Sequence, residues 1–339
     1  MYNCNSKCCI QSQTTTPVIH YDVNEIRSAI LNNQCIEDTL HVIAVISNPC
    51  NFKKRYQLAT EFIKRMNKEP LVTLYIVELV YTQHNTCFSI TDSTNPNHLQ
   101  ITTDTPVLWH KENLINIAVD KLLPRDFKAL AWIDADVQFD NPHWAEYALQ
   151  VLNGSRDIIQ LFSQAIDMDA NKDTMNVFNS FGYMVEKQRE YSRTGIFKMF
   201  HPGYAWACTR QAYYKLNGVF DLGILGSSDQ HMAMSLVDMG KSSMNANVSK
   251  GYKNSILLFQ EKAKNLRLGY IPVVIRHFFH GSKKNRQYVE RWQILVKHKF
   301  DPYIHIVKNN QGLLVPTPAC PKELLDDILE YFKSRLEDD

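Results

Sequence analysis

Apolar positions along this chain take turns between two spacings. TLHVIAVISNP (39–49) is a continuous apolar run closed by Asn48-Pro49, which predicts a buried strand ending in a turn. FKKRYQLATEFIKRMNK (52–68) then puts Phe52, Tyr56, Ala59, Phe62, Ile63 and Met66 on one face at helical spacing. PLVTLYIVELVY (70–81) reads as a second buried strand, and short polar-rich strands or loops fill 82–106. KENLINIAVDKLLP (111–124) reads as a helix that Pro124 stops, and FKALAWI (127–133) as a third strand. Such alternation predicts an α/β fold, a mainly parallel, Rossmann-like sheet flanked by helices. Ligands of these sheets bind beyond the carboxyl ends of the strands.

The second half is less regular. Asn141 and Pro142 open a helix over HWAEYALQVLNG (143–154), and DIIQLF (157–162) is a short strand. Residues 163–200 form a polar and aromatic stretch, expected to be a partly helical insertion. GYAWACTR (203–210) precedes a helix over QAYYKLNG, a loop GILGSSD (223–229) and a helix from near Gln230. GYIPVVIRH (269–277) is expected as one more strand, followed by the basic HGSKKNRQYVERW. The expected organisation is a polar segment 1–38 with a short helix over VNEIRSAILNNQ, a single catalytic domain 39–299, and a tail 300–339 ending in the amphipathic helix PKELLDDILEYFKSRL.

Composition narrows the function classes. A net charge of +2 over 339 residues gives no electrostatic case for nucleic acid. No apolar stretch approaches the roughly 20 residues of a membrane helix. With no targeting segment evident, the expectation is a cytoplasmic protein without a membrane span. The 8 cysteines are irregularly spaced, which favours reduced thiols over a disulfide framework.

The exception to the pattern is ALAWIDADVQFDNP (129–142), where a buried strand ends in two carboxylates, Asp134 and Asp136. Residues two apart on a strand project to one side, so the pair should repel itself. Two carboxylates on one rim invite a hard divalent cation, Mn²⁺ or Mg²⁺. A phosphatase of the haloacid dehalogenase type, which also carries Asp-x-Asp, is disfavoured: Gln138 stands where Thr or Val is needed, and the pair follows the third strand. Glu78, inside LYIVELVY, is the other carboxylate in an apolar run. Lys283, Lys284 and Arg286 form a basic cluster suited to a diphosphate.

Three ordered segments across residues 40–298 resemble GT-A glycosyltransferases, the nucleotide-diphospho-sugar transferases with a DXD motif, and are similar in order to the β-1,4-galactosyltransferases. WHKENLINIAVDKLLPRDFKALAWIDADVQF matches their run from a nucleotide-contacting basic residue through an Asn to the Asp-x-Asp strand. The resemblance implies nucleotide contacts from Lys111 and Asn116, with Asp134 near the ribose and cation and Asp136 as a metal ligand. HPGYAWACTRQAYYKLNGVFDLGILGSSDQHMAMSL resembles their stretch ending in an acidic loop, whose closing acid is the general base of inverting members; Asp229 holds that place. The galactosyltransferases carry Trp-Gly-Gly-Glu-Asp where this chain has LGSSD, with one acid. PVVIRHFFHGSKKNRQY resembles the segment supplying the remaining metal ligand, for which His277 and His280 both stand open. The resemblance further implies that Glu78 contacts the nucleoside and leaves Arg55 to pair with Glu78 or the pyrophosphate. Trp206 and Tyr204 offer aromatic faces for stacking an acceptor sugar.

The function expected is metal-dependent transfer of a sugar from a nucleotide sugar, with UDP as carrier, to an acceptor hydroxyl on a glycan or other molecule, with inversion. A catalytically inactive nucleotide- or glycan-binding module on the same fold is the alternative. A sugar-nucleotide pyrophosphorylase would need a Gly-rich, Arg-containing loop after the first strand, which SNPCNFKKR does not supply.

Overall fold

The computed structural model describes residues 39–84, 87–187 and 200–338. The helix expected over 23–34, and Cys4, Cys8, Cys9 and Cys35, lie outside them. In chain order the elements begin β1 (Leu40–Ser47), α1 (Lys53–Met66), β2 (Val72–Tyr81), β3 (His98–Thr103), α2 (Lys111–Lys121), β4 (Ala129–Ile133) and β5 (Val137–Phe139). They continue α3 (Trp144–Leu152), β6 (Ile158–Gln160), β7 (Gln164–Met168), β8 (Thr174–Ser180), α4 (Phe181–Glu186), β9 (Phe200–His201), β10 (Ala205–Thr209), α5 (Arg210–Leu216), α6 (Ser228–Ser235) and α7 (Lys250–Ala263). The last are β11 (Leu268–Tyr270), β12 (Val274–His277), α8 (Trp292–Lys297), α9 (Pro302–His305), β13 (Ile306–Lys308), β14 (Leu314–Pro316) and α10 (Lys322–Ser334).

The main sheet among the described residues has 7 strands in the order β11-β6-β10-β4-β1-β2-β3. Every strand runs the same way except β10, which is antiparallel to both β4 and β6. The expected mainly parallel α/β sheet is therefore present. β1 and β2 are apolar almost throughout because helices cover both faces of the sheet. On one face α1 and α3 bury Phe62, Met66, Trp144 and Leu149 against Val42, Ala131 and Ile159. On the other, α2, α5, α6 and α7 bury Leu114, Tyr213, Met232 and Ile256 against Ile43, Trp132 and Trp206.

A second sheet has the order β5-β12-β7-β8-β9. Two sequence expectations change here. The stretch from 163 holds strands β7 and β8 before the short helix α4, so it is part of a sheet rather than an insertion. GYIPVVIRH is two strands in two sheets: the chain leaves the main sheet after Tyr270 and enters the second at Val274, with Pro272, which cannot donate to a ladder, between them. The segment from 300 onward packs Phe300, Leu314, Leu324, Ile328 and Phe332 into the same apolar cluster as Leu114 and Trp132. No helix among the described residues is long and apolar enough to cross a membrane.

Candidate functional site

The two sheets meet where β4 ends. Asp134, Ala135 and Asp136 turn the chain out of the main sheet and into β5 of the second, closed by Val137 N donating to Asp134 O at 3.2 Å. Asp134 N donates to Tyr204 O at 2.8 Å and Phe278 N to Asp136 O at 2.9 Å, so both sheets grip this turn. The expected side-by-side projection from a strand is thus corrected: a turn separates the two carboxylates and gives them different partners. Asp134 pairs with the Lys111 ammonium. Asp136 Oδ2 lies 2.9 Å from His280 Nε2, and Asp136 Oδ1 lies 3.7 Å from His277 Nε2. The pair still repels: burial raises the Asp134 pKa, Lys111 opposes that, and Asp136 adds to it, leaving a net rise. Burial also pushes Asp136 up, but His277, His280 and Arg286 outweigh it and hold its carboxyl far below the usual range.

Asp136, His277 and His280 each offer one atom to a cluster spanning no more than 4.8 Å. The sequence left the two histidines as alternatives, and the fold brings both to Asp136. His277 ends β12 directly opposite Asp167 of β7, and its Nδ1 is 2.9 Å from Asp167 Oδ1. His280 Nδ1 is 3.2 Å from Glu337 Oε2. Asp167 and Glu337 as carboxylates only accept, so each Nδ1 carries a proton in these bonds, and each Nε2 is the ring atom turned toward Asp136. Asp136 Oδ1 is buried with no hydrogen-bond partner. Two imidazole Nε2 atoms and a buried carboxylate oxygen without a hydrogen-bond partner make a donor set that fits a divalent cation, with outer carboxylates orienting the rings.

The cluster lies in a cavity of about 620 Å³ lined also by Arg55, Lys111, Asp134, Tyr204, Asp229, Lys283 and Arg286. Several of these already have partners. Lys283 pairs with the fully buried Asp167, which also accepts from Tyr204 Oη at 2.7 Å. Arg55 is bidentate on Glu337 instead of pairing with Glu78 as expected, and Arg286 Nη2 lies 2.8 Å from His280 Nε2. Tyr204 lies between histidines, its ring parallel to His201 at 3.7 Å and tilted against His277 at 4.6 Å, so neither face is free for a sugar. Its φ of 75° is an uncommon left-handed conformation for a non-glycine residue, held by the bond from Asp134 N.

Across the cavity Asp229 sits in the first turn of α6, after Gly226 and Ser227, both at positive φ. Arg291 Nη2 fixes this entry by donating to Ser227 Oγ at 2.7 Å. The Asp229 carboxylate closes on the Gly203 backbone beside His201. Burial drops the His201 pKa to about 3, so its ring is neutral despite Asp229.

Four predicted residues do not line the cavity: Lys284, which is exposed, and Asn116, Glu78 and Trp206. Asn116 brackets the loop after α5, accepting from Val219 N at 2.9 Å and Tyr213 Oη at 2.9 Å and donating to Val219 O. Glu78 accepts from the backbone N–H of Ser89, Ile90 and Thr91 and from the Thr91 hydroxyl, closing the loop after β2. Trp206 is core, 1% exposed, with Nε1 donating to Pro202 O at 2.7 Å. Four residues that sequence reasoning passed over belong to the site: Glu112, Asp167, His201 and Glu337. Asp167 carried a readable signal, a charge in the short strand QAIDM. Glu112 follows Lys111 on α2 and accepts from Trp109 Nε1 at 2.9 Å; burial, with Lys111 opposing and Asp229 adding, lifts its pKa to about 7.

No protein-family profile matches this chain, and no curated protein matches it in sequence. Among solved structures it is similar to a mutant Drosophila β-1,4-galactosyltransferase 7 in complex with manganese, UDP-Gal and xylobiose, at 11% identity and TM-score 0.38, over 86% of this chain and 98% of that one. It is also similar to the glycosyltransferase GlyE of Streptococcus pneumoniae TIGR4, at 10% identity and TM-score 0.31, over 87% of this chain and 60% of that one. Likenesses this remote say nothing about the site, whose chemistry rests on its own residues.

Proposed function

We propose that this protein is a metal-dependent glycosyltransferase that moves a sugar from a nucleotide sugar, with UDP as carrier, to an acceptor hydroxyl with inversion. The observation that carries this reading is the Asp136–His277–His280 cluster at the carboxyl end of β4, sharing one cavity with Asp229. The ordered motif resemblance to GT-A glycosyltransferases supports it. Asp136, His277 and His280 are the residues that would hold Mn²⁺ or Mg²⁺. A cation there supplies positive charge against the charge that grows on the leaving diphosphate.

The remaining chemistry falls to the chain's own groups. Lys111 offsets the Asp134 carboxylate and supplies a fixed cation on the cavity wall. Arg286, half-engaged with His280, adds a planar fork of donors suited to phosphate oxygens. Asp229 takes the acceptor's proton as its hydroxyl attacks the anomeric carbon from the side opposite the leaving group, which inverts that centre. The buried Glu112 and neutral His201 offer further hydrogen-bonding groups around the acceptor.

The base assignment is tested with Asp229→Asn. Transfer from the donor should fall by about 10²-fold or more, the range of a positioned general base, while nucleotide affinity stays unchanged. A variant that keeps its rate, or that loses nucleotide affinity instead, removes Asp229 from the base role.

A further inference from the structure

We infer that Glu337 is a positioning residue for the metal cluster, holding His280 in the tautomer and ring orientation that turn Nε2 toward Asp136. The inference rests on the cation reading above and adds a residue that neither motif nor resemblance supplied. Glu337 is 1% exposed. Arg55 Nη2 donates to Glu337 Oε1 at 2.9 Å, Arg55 Nε to Oε2, and Arg335 Nη2 lies 2.6 Å from Oε1. Two guanidinium groups therefore fix both carboxylate oxygens, and Oε2 is left facing His280 Nδ1 at 3.2 Å.

The backbone is built for this approach. Gly281, next to His280, has φ of 83°, and a Cβ there would lie 2.8 Å from Leu336 O and 2.9 Å from Glu337 Cα. The 335–338 segment thus passes where no side chain fits. Asp338 ties its far side to α1, accepting from Lys53 N at 3.0 Å and Lys54 N at 2.8 Å. The other histidine has the same device from a different source: Asp167 holds His277 through the β7–β12 register. Each imidazole thus has a buried carboxylate at Nδ1 and Asp136 at Nε2.

The rival role for Glu337 is that of an anion occupying Arg55, Arg335 and Arg286 in place of a diphosphate. The two roles differ in sign. An orienting carboxylate strengthens cation binding, and its loss typically weakens affinity 10–100-fold. A place-holding carboxylate leaves cation binding alone, and its loss strengthens binding of free diphosphate.

The experiment titrates Mn²⁺ calorimetrically, without nucleotide, into the full-length wild type and the Glu337→Ala, Glu337→Gln and His280→Ala variants. Each variant's metal-free unfolding midpoint is recorded, and Co²⁺ absorption reports the ligand field. Glu337→Ala should bind Mn²⁺ about 10–100-fold more weakly, and combining it with His280→Ala should add nothing to His280→Ala alone. Glu337→Gln keeps an acceptor oxygen and should lose about 10-fold, the lower end of that range. It carries the test if the alanine variant does not fold. Unchanged Mn²⁺ affinity in Glu337→Gln or Glu337→Ala overturns the inference, as does tighter inorganic diphosphate binding with Mn²⁺ affinity intact. A wild type that binds no Mn²⁺ overturns the cation reading itself.

Discussion

Carboxylates that interrupt apolar runs of this chain meet different fates residue by residue. Asp134 and Asp136 end in the cavity, whereas Glu78 is spent on three backbone N–H groups and a hydroxyl. The one-dimensional signal is the same because a buried anion needs donors wherever it sits; only the fold says whether those donors are a loop or a ligand. Asp167 gave that signal as well, while Glu112 and Glu337 gave none, since an acid next to a lysine or in a polar segment is ordinary. Glu112 allows a direct check. Its folded pKa of about 7 lies above the usual carboxylate value, so the neutral form is favoured on folding. Its stabilising effect is complete below the unfolded value, about 4.3, and is lost as pH rises toward and through 7. Glu112→Gln should therefore lack roughly 3 kcal/mol of the fall in unfolding free energy that the wild type shows across that window. Parallel denaturation curves from pH 4 to 8 measure it; identical pH profiles would show that Glu112 is not perturbed.

Among the elements, those with continuous apolar runs or clear helical spacing were legible: β1, β2, β4, α2 and α10 all lie where the pattern puts them. What the pattern missed depends on partners distant in sequence. α1 has no side-chain cap of its own at Phe52, and its first N–H groups are met by Asp338, 285 residues away. The division of GYIPVVIRH between two sheets was equally hidden, because both halves are apolar and only Pro272 marks the break. α4 shows how closely the layers meet. A Cβ on Gly182 would lie 2.3 Å from Gly269 O in β11, a backbone atom that cannot swing aside. Gly182→Ala should force α4 off the sheet edge and destabilise the fold by about 1–3 kcal/mol, the usual range for overpacking. Urea unfolding at constant m-value would register it, and an unaltered midpoint would mean that α4 repositions freely.

At the scale of the molecule, the site is where the two sheets share a turn. β4 delivers the acidic pair, β12 and β7 of the second sheet deliver His277 and Asp167, and the 335–338 segment closes over them with Glu337. The Asp-x-Asp stood out by residue type, whereas Asp229 and the choice between His277 and His280 came from the ordered resemblance. Their convergence on one cavity, the exclusion of Asn116 and Trp206, and the contribution of the C-terminal segment could not, since each depends on which of two sheets or faces a residue joins. On the proposed reading, Asp136 with its two histidines binds a cation on which nucleotide-sugar binding depends. The most direct measurement of this dependence is the unfolding midpoint of wild type and Asp136→Asn against UDP-, GDP- and CMP-sugars, with and without Mn²⁺. A donor at about 100 times its dissociation constant stabilises by roughly 2.7 kcal/mol, a shift of a few degrees in a chain of this size. That shift should occur for a UDP-sugar only when Mn²⁺ is present, and should be absent in Asp136→Asn. A shift of equal size without Mn²⁺, or one that survives in Asp136→Asn, would contradict the proposed reading.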